Sequence, residues 1–172
     1  MSTRSLHEYS LWLEPKGEKY DQLKNIIVDL SIATRSPLFD PHLTLLGGIT
    51  MPVEKIIEKI KILAERSRAI TLSLIATHSG DFYYKSIFLE CEKTESLMNL
   101  NKEAQKIFSQ PFEYNPHLSL LYSDVSQTKK DMLIEKINRK LILPLNFVVD
   151  TISLWEAFGP ADKWQKIYNV FL

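Results

Sequence analysis

Pro41-His42-Leu43-Thr44-Leu45-Leu46 and Pro116-His117-Leu118-Ser119-Leu120-Leu121 are near copies of one another, one in each half of the chain. Each is an apolar run broken by two polar side chains, two residues apart. Strand side chains alternate between faces. Read as strands, the copies put His42 and Thr44 on one face and Leu43 and Leu45 on the other, and they divide His117 and Ser119 from Leu118 and Leu120 in the same way. One His-x-Thr alone is as readily a half-buried strand histidine, since a motif match is only a hypothesis. Two copies that also agree in Pro, Leu and Leu-Leu point to a duplicated unit with a pseudo-two-fold axis, and an internal repeat takes precedence over local readings. The two strands are then expected to face one cleft, with the imidazoles of His42 and His117 on either side of a phosphate-sized space.

Around these strands the chain alternates strand and helix. Tyr9 to Leu13 reads as a first strand, closed by Pro15-Lys16-Gly17. Tyr20, Leu23, Ile27 and Leu30 recur at helical spacing, and that helix should fade near Ser36-Pro37. The first motif strand is expected to stop at Gly47-Gly48. Pro52 suits the first turn of a second helix, whose stripe is Val53, Ile56, Ile57, Ile60 and Leu63. Ile70 to Ile75 predicts a strand, Thr77 to Asp81 a turn, and Phe82 to Glu92 one or two further strands. Thr94 can cap a third helix with Leu97, Leu100, Ala104 and Ile107 inward. Gln110 to Asn115 is a loop that delivers the second motif strand. A fourth helix runs from about Thr128 to Leu141. The tail, Leu145 to Phe158 and Trp164 to Phe171, is rich in β-branched and aromatic residues and predicts two strands around Gly159-Pro160. The expected fold class is α+β, with two pseudo-symmetric lobes, each a mostly antiparallel sheet with helices outside, and the active-site cleft between the sheets. Residues 1–172 are expected to form a single bilobal domain.

Composition narrows the function classes. The chain has 21 basic and 21 acidic residues, so no strong field draws long nucleic acid to it. No apolar run approaches a membrane span, and the N-terminus leads into no signal-peptide core. Cys91 is the only cysteine, which rules out an intramolecular disulfide, and its apolar surroundings favour a buried structural thiol. A cytoplasmic monomer is the expectation, with no membrane partner. The histidines are His7, His42, His78 and His117, without a His-x-x-x-His pair or a Cys–His cluster, so no metal ligand set and no cofactor are expected. His7 and His78 read as ordinary surface histidines.

The paired His-x-(Thr/Ser) motifs resemble those of the two-histidine phosphoesterases. Within that superfamily the chain is most similar to the plant and yeast type of 2′,3′-cyclic phosphodiesterase. Tyr9-Ser10-Leu11-Trp12, Ser79-Gly80-Asp81-Phe82-Tyr83-Tyr84 and Leu121-Tyr122 carry the likeness further. It is specific at the motifs and vague in the helices and the C-terminal quarter. The resemblance implies a two-lobed pseudo-symmetric fold and metal-independent hydrolysis of small cyclic phosphates. The substrates it implies are nucleoside 2′,3′-cyclic phosphates and ADP-ribose 1″,2″-cyclic phosphate from tRNA splicing. A sister subgroup acts on RNA ends, including 2′-5′ linkage chemistry, and a non-catalytic binder of phosphorylated nucleotides is the reading from outside enzymology.

Such a reaction needs a water deprotonated on one side of phosphorus and a ribose oxygen protonated on the other. Histidine serves both roles near neutral pH. The hydroxyls of Thr44 and Ser119 can donate to the non-bridging oxygens. The sequence leaves open which histidine is acid and which is base; the resemblance favours His117 as base and His42 as acid. Trp12, Phe82, Tyr83, Tyr84 and Tyr122 are candidates for the surface on which a base stacks. Tyr122 sits at odd spacing from His117 and should face away unless the strand bends, so its substrate contact is implied by the resemblance alone.

Overall fold

Twelve elements follow one another in the computed structural model, which describes residues 8–172. They are β1 (Tyr9–Leu13), α1 (Gly17–Thr34), β2 (Leu43–Ile49), α2 (Val53–Glu65), β3 (Ile70–Ser79), β4 (Ile87–Cys91), α3 (Glu95–Phe108), β5 (His117–Leu121), α4 (Gln127–Lys140), β6 (Leu145–Val149), β7 (Thr151–Glu156) and β8 (Gln165–Phe171). His7 lies outside the described residues. The fold is α+β. All eight strands join one antiparallel sheet in the order β6-β3-β4-β5-β2-β1-β7-β8.

That order is symmetric about its middle. The motif strands β2 and β5 form the central pair. β1 and β4 flank them, then β7 and β3, then β8 and β6. The halves touch through one registered pair, Leu43 opposite Leu118, so the expected lobes are four-stranded halves joined at a narrow seam. The helices obey the same symmetry. α1 links β1 to β2 and packs on β5, while α3 links β4 to β5 and packs on β2. Both end on a non-glycine residue in the left-handed region, Arg35 at φ 55° and Ser109 at φ 51°. Ser109 and Arg35 carry a conformation that side chains normally avoid, and the duplicated backbone carries it twice.

Local sequence accounts for where α3 and α4 begin. The Leu97 amide donates to Thr94 Oγ1 at 3.4 Å, and the Lys129 amide donates to Ser126 Oγ at 3.3 Å. Leu43, Leu45, Leu118 and Leu120 are fully buried beneath the helices, which leaves the opposite sheet face to the polar members of each motif.

Four features differ from expectation. Gly47-Gly48 does not end β2. Between Tyr9–Ile49 and Leu11–Leu46 the register gains one residue on β2, so the glycines form a bulge, with Gly48 at φ 69°. β3 runs on through His78 to Ser79, because Thr77, His78 and Ser79 pair with Leu89, Phe88 and Ile87. Residues 82–86 form no strand: Tyr83–Lys85 is a 3-10 turn, and β4 begins at Ile87. Gly80 closes this loop. A Cβ there would sit 2.6 Å from the Lys85 carbonyl oxygen, so only glycine fits. The tail makes three strands instead of two. Asp150 interrupts it, with β6 pairing on β3 and β7 on β1, so one residue carries the chain between the halves of a curled sheet. Among the described residues no helix is long and apolar enough to cross a membrane.

Candidate active site

The seam determines which side chains meet. Antiparallel pairing about Leu43 and Leu118 sets His42 on the Ser119 side and Thr44 on the His117 side. All four line one cleft of about 480 Å³, together with Ser10, Trp12, Tyr84, Tyr122, Phe158 and Trp164.

Both histidines are fixed in the same way. His42 Nδ1 lies 2.7 Å from the Asp40 carbonyl oxygen, and His117 Nδ1 lies 2.8 Å from that of Asn115. A carbonyl only accepts, so each Nδ1 carries its proton and Nε2 is left as the reactive nitrogen. The segment before His42 is held further by α1. Tyr20 Oη and Lys24 Nζ each donate to Asp40 Oδ1 at 2.7 Å, and Lys24 also donates to the Phe39 carbonyl at 2.9 Å. Lys93 Nζ donates to Asn115 Oδ1 at 3.1 Å in the other half.

The surroundings then break the symmetry. His42 is 6% exposed and lies flat on Trp12, with centroids 3.4 Å apart and planes 5° apart. Burial pushes its pKa down to about 4, against the hydrogen bond that Nδ1–H donates to the Asp40 carbonyl. His117 is only half-buried. Its pKa is also lowered, first by burial and then by Lys85, with the Asn115 carbonyl opposing. The hydroxyls differ as well. Ser119 Oγ donates to the Tyr84 carbonyl at 3.0 Å, whereas Thr44 Oγ1 has no hydrogen-bond partner among the described residues.

The aromatic candidates separate. Trp12 lines the cleft but offers a base no free face, since His42 covers one side and Trp155 the other at 4.2 Å. Its Nε1 donates to Ser10 Oγ at 2.9 Å, which fixes the ring as a shelf for His42. Phe82 is 77% exposed and does not line the cleft. Tyr84, two residues on, does. Tyr122 lines it too, because the strand pleat ends at Leu121; the odd spacing from His117 therefore does not govern its direction. Its ring stacks on Phe39 at 3.8 Å, and its phenol lies beside the Ser119 hydroxyl. The sequence reading missed Trp164 and Phe158. The turn at Gly159-Pro160 was the available signal, for it returns both strand-end aromatics to the same rim. Trp164 faces Tyr84 at 6.3 Å and 26°.

His78 pairs with Glu90 at 2.7 Å on the sheet surface. Cys91 is buried, and burial pushes its thiol up to about 11, so it is inert. No group of three or more His, Cys, Asp or Glu able to hold a metal occurs among the described residues.

A family model described as cyclic phosphodiesterase-like protein matches residues 8–170. A cyclic phosphodiesterase of Arabidopsis thaliana is 25% identical, over 87% of this chain and 91% of its own length. A 2′,3′-cyclic-nucleotide 3′-phosphodiesterase of Kluyveromyces lactis is 27% identical, over 72% and 68% respectively. Among solved structures, E. coli LigT complexed with 3′-AMP superposes with a TM-score of 0.65 over 96% of this chain and 98% of that one. At 15% identity, that likeness concerns the fold alone.

Proposed function

This chain belongs to the cyclic phosphodiesterase-like protein family and is a phosphodiesterase of cyclic phosphates, and on that premise we propose that it hydrolyses small 2′,3′-cyclic phosphates without a metal, between His117 as base and His42 as acid. Nucleoside 2′,3′-cyclic phosphates yield nucleoside 2′-phosphates, and ADP-ribose 1″,2″-cyclic phosphate yields ADP-ribose 1″-phosphate. The matched anchoring of both Nδ1 atoms carries the reading, because it leaves two Nε2 atoms to serve one cleft.

In the reaction, His117 Nε2 takes a proton from water as the water oxygen bonds to phosphorus. The P–O3′ bond breaks on the far side, and His42 Nε2–H supplies the proton to O3′. Solvent then restores both histidines. Lys85 and burial keep His117 neutral, as a base requires, and its partial exposure admits water. His42 reaches the cleft with little of its ring exposed, and the Trp12 face beneath it favours the imidazolium once a proton arrives. Tyr84 and Trp164 flank the space for the nucleoside base.

All four 2′,3′-cyclic mononucleotides should be turned over with excess chelator present, and phosphorus NMR should find the 2′-phosphate as sole product. Loss of activity on chelation with recovery on zinc or manganese, or a 3′-phosphate product, sinks the mechanism.

A second expectation concerns protons. Both imidazoles are neutral in the empty cleft at pH 7, yet the acid must be charged. The bound anion therefore has to return a proton, raising a pKa that burial had depressed. The affinity gained this way is complete below the empty-cleft pKa and is lost as pH rises through the bound-state value. Sulfate, which does not itself titrate here, should bind more tightly as pH falls from 8 to 5, by up to about tenfold per unit. Calorimetry in buffers of different ionisation enthalpy should detect the uptake of about one proton. A flat affinity profile would overturn the claim.

A further inference from the structure

The two sides of the sheet are symmetric in backbone but not in what stands behind each histidine. Behind His42, the positions across β1 and β7 are filled by Trp12 and Trp155, stacked and nearly sealed. Behind His117, the corresponding pairing runs to Glu90 and Phe88 on β4, then to Ala76 and His78 on β3. There a single ring, Phe88, stands edge-on to the histidine, and the wall is more open. A groove of about 340 Å³ continues the cleft, with His117 lining both.

Two lysines face one carboxylate among the residues that line this groove. Lys85 and Lys93 both line it, and neither pairs with a carboxylate among the described residues. Lys85 Nζ lies over the Phe88 ring at 4.4 Å, and that ring meets His117 edge-on at 5.5 Å. Lys85 thus stands near enough to His117 to depress its protonation. Lys93 is tied to Asn115, whose carbonyl orients the His117 ring. The one carboxylate in the groove, Glu90, is engaged by His78. Gly80 closes the loop that delivers Lys85 by leaving room for that residue's carbonyl.

We propose that this groove is a second anion subsite, which binds a phosphoryl group on the 5′ carbon of the substrate while the cyclic phosphate occupies the cleft. Two ammonium groups without a carboxylate partner, beside a half-buried histidine, suit a phosphate monoester or diphosphate, with Lys acting as a mobile point charge. The Phe88 ring gives the Lys85 stem an apolar surface to lie along. The enzyme then favours nucleotides that carry a phosphate at each end of the ribose. This proposal rests on the reading of the cleft as a cyclic-phosphate site.

The test uses product-like ligands, so it needs no turnover. Calorimetry compares adenosine 2′,5′-bisphosphate with adenosine 2′-phosphate on the wild type, on Lys85→Gln/Lys93→Gln, and on Lys55→Gln, a surface-charge control on α2. The wild type should prefer the bisphosphate by roughly tenfold at low salt, and the double variant should bring the ratio near one. Any shared effect of Lys85 through His117 cancels in that ratio. The control should keep the wild-type ratio. Equal binding of the two ligands by the wild type, or a preference that survives in the double variant, overturns the subsite. The same ratio measured as kcat/KM on cyclic phosphates with and without a 5′-phosphate should agree. If neither cyclic phosphate is hydrolysed while the binding ratio stands, the hydrolase reading fails and the subsite does not.

Discussion

His117→Ala and His42→Ala should each lower kcat/KM on a 2′,3′-cyclic nucleotide by roughly 10²–10⁴-fold, the usual contribution of a positioned proton donor or acceptor. The two losses should then respond differently to the leaving group. With sulfur in place of O3′, the departing thiolate needs no proton, so an enzyme without its acid regains speed. His42→Ala should be rescued by that substrate and His117→Ala should not, because water must still lose its proton. Rescue of His117→Ala alone would exchange the roles, and rescue of neither would remove proton transfer to O3′ from the mechanism. Folding has to be separated from chemistry at His42 in particular. Its ring is buried on Trp12, so deletion leaves a gap that costs packing. His42→Gln beside His42→Ala, each with a thermal melt, makes that separation. In the wild-type complex with substrate, one histidine must be neutral and the other charged. The pH profile of kcat/KM should therefore be bell-shaped, with limbs that belong to the pair.

How much of this site could be read from the chain depends on the range of the forces involved. The motif strands were legible because strand alternation is local: it decides that His42 and Thr44 share a face without reference to any partner. The pairing of the halves followed from repetition. What stands around each histidine did not, since it depends on register between strands distant in sequence. Trp12 was expected as a platform for a base, but its pairing opposite Thr44 and next to β7 fills both of its faces. Phe82 and Tyr84 look equivalent in sequence; a 3-10 turn places only the second in the cleft. Trp164 arrives from β8's side of a turn whose aim the sequence does not specify. Asp150 illustrates the converse. The alternating pattern of Leu145–Val149 gives way to the continuously buried run of Thr151–Trp155, a local signature of two different strands. That change was present in the sequence, and the β-rich composition of the tail masked it.

Thr44→Val should cost about 10²–10³-fold in kcat with little change in KM, while Ser119→Ala should cost less. Near-identical motifs suggest equal roles, and the hydrogen bonding of the empty cleft argues otherwise. A hydroxyl has one proton to give. That of Ser119 goes to the Tyr84 carbonyl at 3.0 Å, and a phosphate oxygen must compete for it. Thr44 Oγ1 has no partner to give up among the described residues. Its donor is therefore available to charge that builds on a non-bridging oxygen, the type of contact whose loss costs two to three orders of magnitude in rate. Val keeps the shape of Thr, including the methyl that lies near Gly47, so the comparison isolates the hydroxyl. Thr44→Ser, which restores the donor without the methyl, should recover most of the rate. Because the contact tightens only as charge develops, the loss should appear in kcat and not in KM. Equal losses in Thr44→Val and Ser119→Ala would mean that the Tyr84 contact exchanges freely for phosphate. An unchanged kcat in both would confine the hydroxyls to holding the strands, and the developing charge would then fall to the histidines alone.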